Sequence, residues 1–247
     1  MAPRSTSWGL QGLFRGASLT LCVGLAGASA AETIVGATFE GPTTRYGHGI
    51  LGDAVEFTQL VIEAGDWAHK RRYRVSLPDD HVFEDIAPRL WDITGDGAPE
   101  VVVIETDMAR GGSLAVYDET GKIAETSHIG RSNRWLAPIG AADLDGDGRI
   151  EVAFIDRPHL AKTLRVFEWD GEGLVLDAEL GGLTNHQIGQ DFISSGVRDC
   201  GDGPEVVTAD GDWSDVMVTR MDGGVLEARS VAAFSAEQLD AVLNCTF

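Results

Sequence analysis

Apolar residues along the chain gather in short runs bounded by turns rich in glycine and aspartate. Three runs are almost uninterrupted: Val101–Glu105, Val152–Asp156 and Val206–Asp210. Runs this short, largely β-branched and flanked by turn residues, predict strands. Weaker segments flank each of them. Around the first are Ala87–Asp92, Ser113–Asp118 and Ile123–Ser127, with Asp118-Glu-Thr-Gly121 as the hairpin turn between the last two. Leu164–Trp169 and Leu174–Ala178 follow the second run around Asp170-Gly171, and Val216–Arg220 and Val225–Ser230 follow the third around Asp222-Gly-Gly224. Turn signals spaced by about 8–12 residues predict an all-β fold. The end of the chain reads differently. Ser235 is placed to cap a short helix, with Gln238 closing a capping box, Phe234 stapling onto Leu239 and Asn244 ending it.

The pattern repeats. Asp92-Ile-Thr-Gly-Asp-Gly-Ala-Pro-Glu100 precedes the first run, Asp143-Leu-Asp-Gly-Asp-Gly-Arg-Ile-Glu151 the second, and Asp199-Cys-Gly-Asp-Gly-Pro-Glu205 the third. Each is an acidic glycine turn, then a Glu, then the strand. The starting aspartates stand 51 and 56 residues apart. An eroded copy precedes them: Gly52-Asp53 leads into Ala54–Ile62, and Gly65-Asp66-Trp67 matches Gly211-Asp212-Trp213 after the last strand. Units of about 40–50 residues in an all-β chain predict propeller blades. Residues 31–247 therefore read as one domain, a small β-propeller of four blades, or five, each of up to four strands. Its repeats start near residues 46, 86, 137 and 193, and a short C-terminal helix follows. The Thr33–Phe39 stretch is expected to complete the last blade and close the ring.

Charge narrows the function. The 247 residues carry a formal net charge of −20, which disfavours nucleic acid and anionic membrane surfaces and suits cations. Arg4 and Arg15 are the only charges before Glu32, and the uncharged Gly16–Ala30 stretch ends in Ala28-Ser29-Ala30. That pattern predicts a signal peptide over residues 1–30, export to the periplasm or beyond, and no membrane insertion after cleavage. Two cysteines then remain, Cys200 and Cys245. In an oxidising compartment they predict a disulfide, two separate buried thiols being the alternative.

The acidic turns carry the chemistry. Asp143, Asp145, Asp147, the Arg149 carbonyl and Glu151 can converge on one cation, with Gly146 and Gly148 allowing the sharp backbone path. Hard oxygen donors select calcium. The matching positions of the other turn are Asp92, Thr94, Asp96, the Ala98 carbonyl and Glu100. Neither turn is an EF-hand, since the twelfth position is Phe154 or Val103 and a strand follows each. The windows Ala87-Pro88-x-x-x-Asp92-x-Thr-Gly-Asp-Gly97-x-x-Glu100 and Ala141-Ala-Asp143-x-Asp-Gly-Asp-Gly148-x-x-Glu151 resemble FG-GAP and VCBS repeats, including those of integrin-type propellers. The resemblance implies calcium-stabilised blades. It departs at the Phe-Gly-Gly-Ala-Pro signature, replaced here by Glu84-Asp-Ile-Ala-Pro88 and Trp135-Leu-Ala-Pro138.

Nucleophile elbow, zinc helix and phosphate loop are all missing from the sequence. The best ligand candidates precede inner strands, where loops gather at a propeller mouth. They are Asn133 and Trp135, with Arg131 and Arg134, and Asn185 and His186, with Gln187. The reading is an exported calcium-binding propeller acting as a non-enzymatic interaction module for a protein or glycan ligand. The alternative is a glycosidase-like hydrolase with its site at the channel mouth. The basic run His69–Arg74 reads as the solvated face of an outer strand, or as a dock for an acidic partner.

Overall fold

A continuous apolar run in a β-chain is stable when both of its faces are covered, and the three runs found in the sequence are central strands of that kind. The computed structural model describes Met1, residues 32–66 and residues 68–247. Residues 2–31, which hold Cys22 and nearly all of the expected signal peptide, and Trp67 lie outside the described residues. Among the described residues, seventeen strands and one helix follow in four units. The first holds β1 (Ile34–Thr43), β2 (Glu56–Gly65) and β3 (Lys70–Ser76). The second holds β4 (His81–Phe83), β5 (Arg89–Trp91), β6 (Glu100–Asp107), β7 (Gly111–Asp118) and β8 (Gly121–Glu125). The third holds β9 (Leu136–Ala142), β10 (Glu151–Asp156), β11 (Thr163–Trp169) and β12 (Leu174–Gly181). The fourth holds β13 (Leu183–Thr184), β14 (Gly196–Asp199), β15 (Pro204–Asp210), β16 (Asp215–Asp222) and β17 (Val225–Ala233), and α1 (Ala236–Leu243) follows. Neighbouring strands pair antiparallel. The first two units share one eight-stranded sheet, and the third and fourth form sheets of four and five strands.

Central strands divide their side chains between two cores. On β6, Val101 and Val103 face a core with Leu60, Ile62 and Phe83 of the first two units, while Val102 and Ile104 face one with Leu136, Val152 and Phe154 of the third. On β10, Val152 and Phe154 stay in that second core, and Ala153 and Ile155 enter a third with Leu183 and Val206. On β15, Val206 faces back and Val207 faces Leu239 and Val242 of α1. Successive units are thus joined face to face by alternate residues of one strand. That is why these runs show no polar alternation.

The inner strand of a unit is where the chain departs from the predicted elements. β4 and β5 both lie along β6, at Glu105–Asp107 and Glu100–Val102. In the gap between them the Asp85 carboxylate accepts the Ile104 N–H at 2.9 Å, the place of a ladder carbonyl. β13 and β14 likewise share β15, with residues 185–195 inserted between them. In the third unit β9 runs unbroken, with a bulge opposite Ala153 and Phe154. β4 and β13 have three and two residues, too few to carry a periodic signal.

One expectation is corrected. Thr33–Phe39 does not complete the last unit. β1 pairs along β2 from Ile34↔Ala64 to Thr43↔Glu56, and the free face of the last unit is covered by α1. Phe39 stacks on Phe57 and Phe83, and closing the short 44–55 connection costs less chain entropy than returning to the far end of the chain. The first unit also has three strands of its own rather than four, and joins the second through Phe57↔Phe83. β3 is the outer strand the basic run predicts. Its arginines pair with Glu32, Glu40 and Glu63 nearby.

α1 is capped by Ser235, whose side chain accepts the Gln238 N–H, and ends at Asn244. Cys200 and Cys245 form a disulfide across 45 residues of sequence. A loop of that length predicts that reduction destabilises the fold by roughly 4 kcal/mol in the chain-entropy model. The expected result is a lower urea midpoint with reductant for the wild type, and none for Cys200→Ser/Cys245→Ser.

Candidate functional site

Short-range hydrogen bonds build the Asp143–Glu151 turn. The Asp143 carboxylate accepts the N–H groups of Gly146 (2.8 Å) and Gly148 (3.1 Å), and Asp145 accepts that of Asp147 (3.2 Å). Gly146 and Gly148 sit at φ +82° and +91°, where a side chain is strained. Glu151 opens β10 and is fully buried. Its Oε2 accepts the Leu144 N–H at 2.6 Å, whereas its Oε1 is buried without a hydrogen-bond partner. One oxygen each from Asp143, Asp145 and Glu151 lie within 4.8 Å of one another, and Asp147, Glu151 and Glu168 form an overlapping trio. Burial, and then the Asp145, Asp143 and Asp147 carboxylates, push the Glu151 carboxyl up to about 7 against the Leu144 N–H. A buried, unpartnered carboxylate oxygen among carboxylates is costly without a cation. The donors are the hard oxygens calcium takes. Asp147 is turned partly aside, because Arg149 donates to it from both backbone and guanidinium and also reaches Glu168.

The Asp92–Glu100 turn has the same backbone and a different balance. Asp92 accepts from Gly95 (2.8 Å) and Gly97 (2.9 Å), and Asp96 from Ala98 (2.8 Å). Glu100 is buried, but Ile93 N–H (2.7 Å) and Thr94 N–H (3.3 Å) occupy Oε2 and the Thr94 hydroxyl donates to Oε1 at 3.2 Å. Thr94 stands where Asp145 stands in the other turn, so one donor replaces one carboxylate. Among the described residues, the trios that close within 4.8 Å include none from this turn. This turn, the sheet after it and the second turn make up one sequence module. Residues 92–154 match the FG-GAP-like repeat. No curated protein matches the chain.

The FG-GAP-like repeat starts at the first acidic turn and ends inside β10, so it contains both turns and the Glu that opens each central strand. The same Glu recurs outside it. In the fourth unit Glu205 is buried, and three guanidiniums take the place of a cation. Arg198 donates from Nε (3.0 Å) and Nη2 (2.7 Å), Arg220 from Nε (2.6 Å) and Arg229 from Nη2 (3.0 Å). Burial works to raise its carboxyl, but the three arginines hold it at about 2. In the first unit Glu56 opens β2 opposite Thr43, as Glu151 opens β10 opposite Ala142. Burial, with Glu84, Asp53 and Asp85 near it, pushes Glu56 up to about 8, where it is largely protonated at neutral pH. The Glu at this position is therefore settled by protonation at Glu56, by Thr94 at Glu100 and by arginines at Glu205, whereas Glu151 keeps one oxygen without a partner.

The predicted ligand residues gather at one end of the sheets, in differing states. A cavity of about 200 Å³ is lined by His48 and Ile50 from the β1–β2 loop, Asn133–Trp135, Arg157, His159, Leu160 and Ile188. Asn133 stands at its edge with φ +54°. Trp135 is buried, donates from Nε1 to the Glu84 carbonyl (2.7 Å) and meets the fully buried His186 edge-on. Asn185 is sealed and ties the 185–195 insert to the Ala137 carbonyl (3.2 Å). His186 donates from Nε2 to the Gln190 carbonyl (3.0 Å), so its Nδ1 accepts from His159 Nε2 (3.0 Å). Burial lowers both rings, and His186 adds to the effect on His159, which falls to about 4, so both are neutral at physiological pH. Asn185 and His186 hold the floor rather than face the opening. His48, Arg157, His159 and Ile188 face it but were not legible, being single residues in loops whose convergence depends on the fold.

Proposed function

We propose that the chain is an exported, calcium-stabilised β-propeller of four blade-like units that acts as a non-enzymatic interaction module, taking a protein or glycan segment at the loop mouth. Alternate-residue sharing between successive cores supports a propeller-type arrangement, with the first and last units meeting through the Gly189 N–H to Ile50 carbonyl bond (3.1 Å). The disulfide supports export; no helix among the described residues is long and apolar enough to cross a membrane. The observation that carries the calcium reading is the orphaned Glu151 Oε1 beside Asp143 and Asp145. At the mouth, arginines alternate with Ile50, Trp135, Leu160 and Ile188, a mix suited to recognition. Glu84, the carboxylate bonded to His48, is fully buried and also engaged by the Thr106 hydroxyl, which favours recognition over acid–base chemistry.

Calcium at a hundredfold excess over Kd stabilises a single-site protein by about 2.7 kcal/mol, or roughly 5–10 °C for a chain this size. Asp145→Ala is expected to remove most of that rise while leaving the melting point in chelator close to that of the wild type. A calcium-induced shift of full size in Asp145→Ala would refute the assignment. Arrays of immobilised glycans and peptides then test the mouth, with Asn133→Ala and Arg134→Ala expected to weaken whichever class binds.

A further inference from the structure

We infer that His81, Asp107 and His128 form a second metal centre, one that takes zinc or a similar transition metal through imidazole and carboxylate donors. It lies at the rim of the eight-stranded sheet and is separate from the oxygen-only turn at Asp143–Glu151. His81 opens β4 directly opposite Asp107, the last residue of β6. Asp107 is in turn paired with Gly111, the first residue of β7. His128 follows β8 and reaches back to the Gly111 carbonyl. Register therefore delivers three side chains to one corner. One donor atom from each lies within 4.8 Å of the other two, with His81 Nε2 3.9 Å from Asp107 Oδ2. A tetrahedral zinc with bonds of about 2.0–2.1 Å sets its donors about 3.3–3.4 Å apart, so closing on a metal asks the His81–Asp107 pair to approach by about half an ångström and the pairs with His128 by no more than about 1.5 Å.

Both imidazoles are oriented as metal ligands are. His81 donates from Nδ1 to the Asp80 carboxylate at 2.8 Å, and His128 donates from Nδ1 to the Gly111 carbonyl at 2.8 Å. Each bond fixes the tautomer, leaving Nε2 as the unprotonated nitrogen, and a carboxylate or carbonyl behind the ring is the usual outer partner of a metal-bound histidine. Asp107 is prepared in the same way. Its Oδ1 accepts the Ala109 (2.8 Å) and Arg110 (3.0 Å) N–H groups, so Oδ2 is the oxygen left outward. The Arg110 guanidinium now rests on Oδ2, but that side chain is more than half exposed and can turn to solvent. Glu105 Oε1, 4.0 Å from His81 Nε2, is the fourth side chain in reach. Its other oxygen is held by the Tyr117 hydroxyl and Lys122. Imidazole donors select zinc, copper, nickel or cobalt over calcium. A metal here clamps β4, the three-residue strand linking the first two units, to β6 and to the chain after β8.

The test is a cobalt(II) titration of the full chain in excess calcium, which fills the oxygen sites and makes the result independent of the calcium reading. One equivalent is expected, with visible absorption of an imidazole–carboxylate set that zinc abolishes by displacement. His81→Gln and His128→Gln are each expected to weaken uptake by at least the ~10–100-fold that loss of an outer partner costs, with the tryptophan emission and the urea midpoint measured in chelator unchanged as proof of folding. Arg110→Ala is expected to tighten uptake. In the wild type, zinc is expected to shield His81 and His128 from carbethoxylation, a reading that needs no variant. The proposal is overturned by the absence of cobalt absorption at stoichiometric metal, by undiminished uptake in the His81→Gln/His128→Gln double variant, or by carbethoxylation of both histidines in saturating zinc.

Discussion

Glu205→Ala is expected to cost about 3–5 kcal/mol of folding stability, the range for breaking a buried ion pair by removing one partner. Arg198 explains the size. Its side chain is 3% exposed, and without Glu205 its remaining bond is Nη1 to the Val242 carbonyl of α1. A guanidinium would then be left buried without a counter-charge. Arg220 and Arg229, with side chains about half exposed at 48% and 53%, can follow solvent, so their alanine variants are expected to cost about 1 kcal/mol or less. Urea unfolding followed by tryptophan fluorescence measures all three. A Glu205→Ala variant within 1 kcal/mol of the wild type would show that Arg198 finds another partner.

The same cluster predicts an acid limb. The folded Glu205 carboxyl sits at about 2, below its ordinary 4.5. A carboxyl lowered on folding contributes its full stability above the unfolded value and loses it as pH falls through the folded one. The wild type should therefore lose stability between about pH 4.5 and 2 more steeply than Glu205→Ala, and the two curves should converge toward pH 2.

Trp135→Ala is expected to cost about 3–5 kcal/mol. The ring is 2% exposed, packs with Leu136, Phe154 and Ile104 in the core between the second and third units, and lies edge-to-face on His186 with centroids 4.9 Å apart. Trp135→Phe keeps an aromatic ring but strands the Glu84 carbonyl, at about 1–3 kcal/mol. Thermal and urea unfolding of the two variants separate packing from the hydrogen bond. If Trp135 worked mainly as an exposed stacking platform for a ligand, both variants would keep wild-type stability and lose binding. The burial of the ring predicts the reverse order of effects.

Sequence was most informative where structure is local. The acidic turns, the Glu after each, the buried central strands and the capped helix rest on turn chemistry, strand composition and capping, all acting within a few residues. The pairing of Cys200 with Cys245 follows from their being the two cysteines beyond the expected signal peptide and from an expected oxidising compartment. Long-range readings fared less well. The destination of Thr33–Phe39 is not legible in the sequence, since strand composition does not choose between two open edges. Asn185 and His186 were chosen for polarity, yet fold into the floor of the mouth.

By itself, then, the amino-acid order determined a repeated all-β chain with oxygen-rich turns at the head of its buried strands. Tertiary structure decided how the Glu after each turn is paired wherever the partner comes from another strand. Glu100, Glu151 and Glu205 begin equivalent strands, but Thr94 satisfies the first from within its turn, and Arg220 and Arg229 reach the third from two later strands. It also decided that His81, Asp107 and His128 meet. For the arginines on Glu205 and for these three donors the physical reason is the same: neutralising a buried charge, or assembling donors around a metal, depends on cross-strand register, which exists only once the sheet is built.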